Sequence, residues 1–565
     1  MSKFYYHTRH IPEEQLNLDT PAGKKVKEEL LCDVMDYADN LHEYGIDTVE
    51  TRLIWWELEK EPGKYDWSVL EKRIARIEKA EIEPCVFPWF MHAPEWEHEL
   101  VRAKCIEHGE ESSIISMWEP KLLEVYDRLY GALAKEYGER IKFLYFSFYG
   151  DFGEPQYLHN TAHYKFSSPH AHYGYWCGDD LARADFKKHL QAKYDSIDAL
   201  NKAWETEISD WDADLMPPLP IVSNSLQRRI DFRDWYTTAL IEFIDKVGAI
   251  IRKHFPNHRG GFPMGGDRER LNLGQVKSRV IKRIAKKYNV LVRWTALGNE
   301  FDYGVIDFQA RRVSSAVNFY SKRGFGSEAS LGISPELAYH TVYVNISNGS
   351  SLLHNEMSSM KRGWEDYKDW MGKIPVLEAE SDIAVFYPVE GEQLECMTPE
   401  RAKALPDGVD IGINDKPGPD TELLYNNASK FREICHYEVV DSCMIEDGIL
   451  DRIKDLVIVC TCPIPENTWA IIMKWVENGG RLWYKNDSMP WILETAENIT
   501  DKADVKTEAG AEKGIYSVDE WPEFEPYASI IKKYKEADEQ VFVTLHGSKY
   551  SVYIPSKKKI VIEDR

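Results

Sequence analysis

Short apolar or β-branched runs alternate with longer stretches of helical periodicity through the first two thirds of the chain. The runs predict strands at Phe4–Thr8, Asp47–Trp55, Glu83–Phe90, Lys142–Tyr149, Arg259–Met264, Val290–Ala296, Gly324–Glu328 and Ser351–Asn355. Between them, apolar positions three and four apart predict helices, among them Trp67–Ala80, Leu122–Tyr137, Asp231–His254, Gln275–Lys287 and Pro335–Asn348. Eight strand–helix units in series predict an α/β fold, a (β/α)8 TIM barrel over residues 1–378. A doubly wound sheet shares the local pattern, so the count of eight carries the argument.

A second pattern begins near Ser381. Ile383–Tyr387 reads as a buried strand, Leu456–Cys460 as another, followed by a helix that stops at Gly479-Gly480 and a strand at Arg481–Tyr484. Strand, helix, Gly-Gly, strand is a parallel α/β unit, expected over 379–539. Asp407–Glu422, rich in Pro, Gly and Asp, reads as a surface excursion. From 540 to 565 apolar and polar positions alternate, with turns at Gly547 and Pro555, which predicts a small antiparallel β segment.

Composition narrows the function classes. Hydrophobic residues make up 43% and charged ones 29%, an ordinary globular balance, and no run of about 18 uncharged apolar residues exists. No membrane span is expected, since crossing a bilayer takes about 20 mostly apolar residues. The net charge of −24 repels phosphate backbones and anionic lipid, so neither nucleic acid nor membrane is an expected partner. Met1–His7 lacks the apolar core of a signal peptide, and the nine cysteines are odd in number and scattered. Together these predict a cytoplasmic protein. Cys460 and Cys462 read as buried small hydrophobes. The 18 Trp and 31 Tyr are unusual, and flat aromatic faces suit sugar rings as well as cores.

Chemistry is expected at the C-terminal ends of barrel strands. There the sequence is dense in carboxylates and aromatics: Trp55-Trp56-Glu57 after strand 2, Trp89 to Trp96 after strand 3, and Tyr149 to Tyr157 after strand 4. Asn299-Glu300 follows strand 6, and strand 7 ends in Ser327-Glu328-Ala329. Glycoside cleavage requires two carboxyls across a cleft, one protonating the departing oxygen and the other attacking carbon or activating water. Glu154 and Glu328 are the candidate pair; Asp151 and Glu300 are their rivals. Burial beside Tyr149, Phe152 or Tyr157 is expected to raise the pKa of the acid. Trp55, Trp89, Trp96 and Trp118 divide between sugar contacts and packing.

Several stretches resemble glycoside hydrolase family 42, the bacterial β-galactosidases. Gly45–Val49, Arg52, Trp56 and Glu61-Pro62-Gly63-Lys64-Tyr65-Asp66-Trp67 look like its strand-2 signature, and Pro88 and Ala93-Pro94-Glu95-Trp96 continue the match. Asp185–Lys187, Leu190 and Lys193 through Trp204 resemble a helical motif of that family. The resemblance implies a retaining double displacement with Glu154 as acid/base and Glu328 as nucleophile. It implies that Arg52 holds the sugar, with Trp56, Trp89, Asp151, Gln156 and Asn299 as further substrate-binding candidates. It also implies an oligosaccharide substrate, no cofactor, and exo-action on a terminal β-linked sugar such as galactose. The second unit resembles the family's glutamine-amidotransferase-like (flavodoxin-like) oligomerisation domain, which implies a homo-oligomer, a trimer in the family, and the tail resembles its small β domain.

The departures matter. The family carries Asn before its acid/base Glu; here Gly153 takes that place. This shifts the sugar 2-hydroxyl contact elsewhere and opens other β-glycosidase specificities, β-mannosidic or a modified galactose of algal polysaccharide. A non-catalytic sugar-binding protein is the alternative from another class. Only Cys177 stands where some members hold a zinc cluster, so no metal is expected. His159, His163, His170 and His172 read as incidental loop residues. Lys277–Lys287 reads as a solvated helix face. The second unit lacks a Gly-x-Cys-x-Gly elbow, which argues against an active amidotransferase.

Overall fold

The computed structural model describes residues 3–7, 46–150, 152–158, 174–219, 221, 224–265, 269–295, 302–321, 324–329, 338–356, 374–395, 419–495, 498–499 and 514–565. Eight strands close into a barrel: β1 Lys3–His7, β2 Ile46–Ile54, β3 Glu83–Trp89, β4 Phe143–Tyr145, β5 Arg259–Met264, β6 Leu291–Thr295, β7 Phe325–Ala329 and β8 Ser350–Glu356. They stand around the barrel in chain order, and each pairs in parallel with its neighbours. This is a TIM-barrel-like α/β fold, with every expected strand in place.

The reason the strands read so clearly is burial on both faces. In β2 all residues but Asp47 are buried, and β3 is buried from Pro84 to Trp89. Parallel strands with one face inside the barrel and the other under helices become near-continuous apolar runs. The charged residues within those runs, Glu50 and Arg52 in β2 and Arg293 in β6, are buried as well.

Helices cover the outside. Ser68–Lys79, Pro120–Tyr137 and Leu226–His254 lie close to expectation. The expected Gln275–Lys287 helix begins at Lys277–Val280 and passes through a π-turn at Ile281–Ala285 into Lys286–Tyr288. Its expected solvated face needs a correction: Lys282, Arg283, Lys286 and Lys287 are exposed, but Lys277 and Ser278 are buried. Tyr303–Tyr320, between β6 and β7, escaped the periodicity reading. It is buried on nearly every side through Val317, so it lacks the polar stripe that marks an amphipathic helix. A hairpin at Arg102–Lys104 and Glu111–Ile115 also went unseen.

Beyond the barrel lies a five-stranded parallel sheet: β9 Ile383–Phe386, β10 Glu438–Val440, β11 Asp455–Ile458, β12 Arg481–Lys485 and β13 Ile515–Val518. Its spatial order is β10-β9-β11-β12-β13. Three antiparallel strands follow at Phe542–His546, Lys549–Ile554 and Lys559–Asp564. Tyr343 of the barrel helix Ala338–Ser347 donates its hydroxyl to the Phe542 and Ser551 carbonyls, at 3.1 and 3.0 Å. Arg432 pairs with Asp307 at 2.6 Å in full burial, which ties the Pro419–Arg432 helix to Tyr303–Tyr320. The expected excursion at 407–422 falls outside the described residues except where it enters that helix.

Candidate active site

Glu154 stands on a tight reversal just beyond β4. Phe148 N–H donates to the Gly153 carbonyl at 2.9 Å and Tyr149 N–H to the Glu154 carbonyl at 3.3 Å. The reversal requires φ of +63° at Gly150 and +73° at Gly153, which glycine adopts without a Cβ penalty. A Cβ at Gly153 would stand 2.4 Å from Ser147 Oγ and 3.0 Å from Phe87 Cε2. Conformation and above all space therefore disfavour the family's Asn at 153.

The carboxyl of Glu154 is packed as tightly as its backbone. A Cβ on Gly265, just past β5, would lie 2.2 Å from its Oε1. Gln156 Nε2 donates to Oε2 at 2.7 Å and Thr295 Oγ1 to Oε1 at 3.4 Å. Gln156 Oε1 in turn accepts from Gln275 Nε2 at 3.0 Å, and Lys277 Nζ donates to Gln275 Oε1 at 3.4 Å. The chain of contacts continues into the second unit, where Gln393 Nε2 donates to the Gln275 carbonyl and Arg233 Nε to Gln393 Oε1. Burial pushes the Glu154 carboxyl from its ordinary 4.5 up to about 7; Arg293, Thr295 and Lys277 oppose the shift, and the charge of Glu328 adds to it.

Glu328 is also buried, but its environment differs. Arg293 Nη2 lies 3.0 Å from its Oε2. Burial opposes the charge on Arg293, yet Glu328, Tyr145, Glu50 and Glu154 together raise its pKa above the guanidinium range. Its guanidinium carbon sits 5.2 Å from the centre of the Tyr145 ring. Register places Thr295 directly beside Glu328, and Thr295 bonds Glu154. One carboxyl is thus neutral-leaning and the other ion-paired, in one buried cluster at the C-terminal ends of β4, β6 and β7.

The remaining candidates separate. Arg52 is buried with its guanidinium 4.2 Å from the Trp89 ring centre. Trp89 is 1% exposed and packs on Phe152, His92 and Phe87, so it supports Arg52 from below. Trp56 is half-buried on the turn Trp55–Leu58. Gln156 is buried and its amide is engaged by Glu154 and Gln275. Asp151, Asn299, Glu300 and the four loop histidines lie outside the described residues.

The aromatics have structural partners. Trp55 Nε1 donates to Glu59 Oε2 and Trp96 Nε1 to the Glu59 carbonyl, while Trp118 stacks on Trp235. Tyr157 stacks on Tyr236 at 3.8 Å, and the Tyr149 hydroxyl donates to the Ile115 carbonyl. Lys193, Tyr194 and Trp204 of the family-like helical motif all donate to the buried Asp231, so this motif is a structural clamp.

Sequence reasoning missed Arg293, Thr295, Gln275, Lys277 and Gly265. Arg293 carried a readable signal, a lone charge between apolar residues of a buried parallel strand. The others belong to loops, a strand end or, for Lys277, the start of a helix, and they approach Glu154 only when the barrel closes.

Two carboxyls in unequal environments at the mouth of a TIM-like barrel are the groups that glycoside cleavage requires. The family described as β-galactosidase, glycoside hydrolase family 42, matches residues 33–259. The fold is similar to that of the β-galactosidase from the psychrophilic Marinomonas ef1, with a TM-score of 0.65 at 13% identity, covering 98% of this chain and 95% of that one. It is also similar to the β-galactosidase from Bacillus circulans sp. alkalophilus, with a TM-score of 0.63 at 13% identity, covering 98% and 92%. The exo-carrageenase of family 42 from Bacteroides ovatus aligns with a TM-score of 0.55 at 12% identity, over 91% and 73%. No curated protein matches the chain in sequence. The chain is similar to glycoside hydrolase family 42 over residues 33–259, and to solved β-galactosidases in fold. No described helix is long and apolar enough to cross a membrane.

Proposed function

We propose that the protein is a retaining, exo-acting β-glycosidase that removes a terminal sugar from β-linked oligosaccharides. The observation that carries this reading is the unequal treatment of two neighbouring carboxyls. Glu154, with its pKa raised to about 7, holds a proton at neutral pH and donates it to the departing glycosidic oxygen. Glu328, ion-paired to Arg293, attacks the anomeric carbon and forms the glycosyl-enzyme. Once the aglycone leaves, Glu154 as carboxylate takes a proton from water, which hydrolyses the ester and restores both groups. The shared neighbours Arg293 and Thr295 suit the gap of about 5 Å that retention requires.

Arg52, held by Trp89, is the proposed sugar-binding cation, with Trp56, Asp151 and Asn299 as further contacts. Gln156 acts on Glu154 rather than on the 2-hydroxyl. Galactose is the first-choice sugar on family grounds. A modified galactose is the second, favoured by the crowding at Gly153, which removes the family's 2-hydroxyl ligand, and by the fold shared with an exo-carrageenase. The unit at 379–539 serves as an amidotransferase-like oligomerisation domain and 540–565 as a β appendix, in a cytoplasmic homo-oligomer, a trimer in the family. The order β10-β9-β11-β12-β13 supports the flavodoxin-like assignment. Sedimentation as a clean monomer would remove the trimer.

The test is hydrolysis of aryl β- and α-glycosides, galactosides and sulfated galactosides included, by wild type, Glu154→Ala and Glu328→Ala with added azide. Rescue of the two variants with glycosyl azides of opposite anomeric configuration supports both roles. Full activity of Glu154→Ala on a substrate with a poor leaving group would move the acid role to Asp151.

A further inference from the structure

The second sheet, like the barrel, opens a crevice at the C-terminal ends of its parallel strands. The chain enters the sheet at β9, goes next to β10 on one side, then crosses to β11 on the other. The strand order therefore reverses between β9 and β11. In open parallel sheets the connections leave in opposite directions at such a point and open a crevice beyond the strands' C-terminal ends, where ligands bind.

A cavity of about 280 Å³ lies there. Pro388, just after β9, and Cys460 and Thr461, just after β11, form its rim. Its walls are apolar, with Leu226, Leu394, Leu424 and Trp491 contributing. One cation lines it: Arg229, in the first turns of Leu226–His254. Arg229 is half-buried, and its Nε is shut off from solvent without a hydrogen-bond partner. Burial lowers its pKa, and no carboxylate of the described residues acts on it.

The cavity's own carboxylate, Glu392, is engaged through one oxygen, while its Oε1 is buried without a hydrogen-bond partner. Its Oε2 accepts from Glu269 N–H at 2.9 Å and from the Tyr387 hydroxyl, and its charge acts on Arg312. Desolvating a guanidinium without a counter-charge is costly, and its planar fork matches carboxylate and phosphate groups. We infer that this cavity binds a small organic anion, a carboxylate or phosphate ester with an apolar or ring-shaped body, through Arg229 at the reversal point of the second sheet. The inference is independent of the glycosidase reading, because no residue of this cavity belongs to the barrel mouth.

The test titrates the full-length protein with benzoate and phenyl phosphate by calorimetry, with benzyl alcohol as the uncharged ring control. Binding of at least one anion with a Kd in the millimolar range or tighter is expected, weakened about tenfold or more by Arg229→Gln. Thr461→Phe, which keeps the arginine and fills the cavity, abolishes binding and leaves glycoside hydrolysis unchanged. Preference for benzoate assigns a carboxylate ligand, and preference for phenyl phosphate a phosphate ester. Absence of binding by both anions at about 10 mM overturns the inference. So does binding that survives both substitutions, or benzyl alcohol binding as well as the anions.

Discussion

The barrel mouth and the reversal point of the second sheet both stand at the C-terminal ends of parallel strands, yet they handle charge in opposite ways. In the mouth the two described carboxyls have polar partners: Arg293 faces Glu328, and Glu154 is held by Gln156 and Thr295. At the second sheet Arg229 stands among mostly apolar walls, with no hydrogen bond from its buried Nε and with Glu392 bonded to Glu269 and Tyr387 instead. The contrast teaches that topology makes the crevice, while side chains decide whether it does chemistry or binding. Two carboxyls in different environments can split acid and nucleophile roles; one cation in an apolar pocket can only attract.

Breaking the mouth gives the largest effects. Glu328→Gln is expected to lower kcat/KM by about a thousandfold or more, since covalent attack is lost. Glu154→Gln does the same for substrates with poor leaving groups and much less for activated aryl glycosides. Initial rates across a leaving-group series check both.

The pH dependence follows from the same residue. With Glu154 as the proposed acid, activity is expected to fall as pH rises through about 7. Stability carries the matching sign. The pKa of Glu154 is above its ordinary 4.5 in the fold, so burial costs nothing below 4.5, increasingly more between 4.5 and 7, and its full amount above 7. Glu154→Gln is therefore expected to stabilise the protein above pH 7, by at most on the order of 3 kcal/mol, and not at pH 4. Denaturant titrations at the two pH values measure it.

Arg293→Met leaves Glu328 and Glu50 without their shared cation. A loss of about 3–5 kcal/mol of stability is expected, as for other broken buried pairs, together with the loss of most activity. Next comes Gly153→Asn, which restores the family residue at the wrong geometry. It is expected to cost about 1–3 kcal/mol through overpacking, with partial recovery in the Ser147→Ala background, where the Oγ is gone. The thermal midpoints of the single and double variants decide this. If Gly153→Asn is neutral, the loop yields more readily than its packing implies.

The smallest effect sharpens the comparison. Gln275→Leu frees the Gln156 amide that donates to Glu154, and an N–H donor favours the ionised carboxyl. The alkaline limb of the pH profile should move upward by less than about one unit, with kcat falling a few-fold and KM unchanged. An unshifted limb would show that Gln275 only packs.

Much of this was legible before folding was considered. Parallel strands buried on both faces announce themselves as apolar runs, so all eight barrel strands could be read, as could β9, β11 and β12. Glu154 and Glu328 stood out because a barrel presents its strand ends. Helix Tyr303–Tyr320 was hidden for the reverse reason: a helix covered on all sides has no period to read. β10 has only Val439 and Val440 as apolar residues, and β13 is only half-buried beyond Ile515 with Ser517 within it, so neither forms an apolar run.

What the sequence determined by itself was the order of strands and helices, the acidic balance and the two carboxyls at the ends of their strands, because these depend on local period and composition. What only the tertiary structure decided was how those carboxyls differ. Gly265 closes over Glu154, Arg293 pairs with Glu328, and Lys277 enters the polar network behind Gln275. Each of these contacts joins residues far apart in the chain, and burial and Coulomb interaction depend on distance in space.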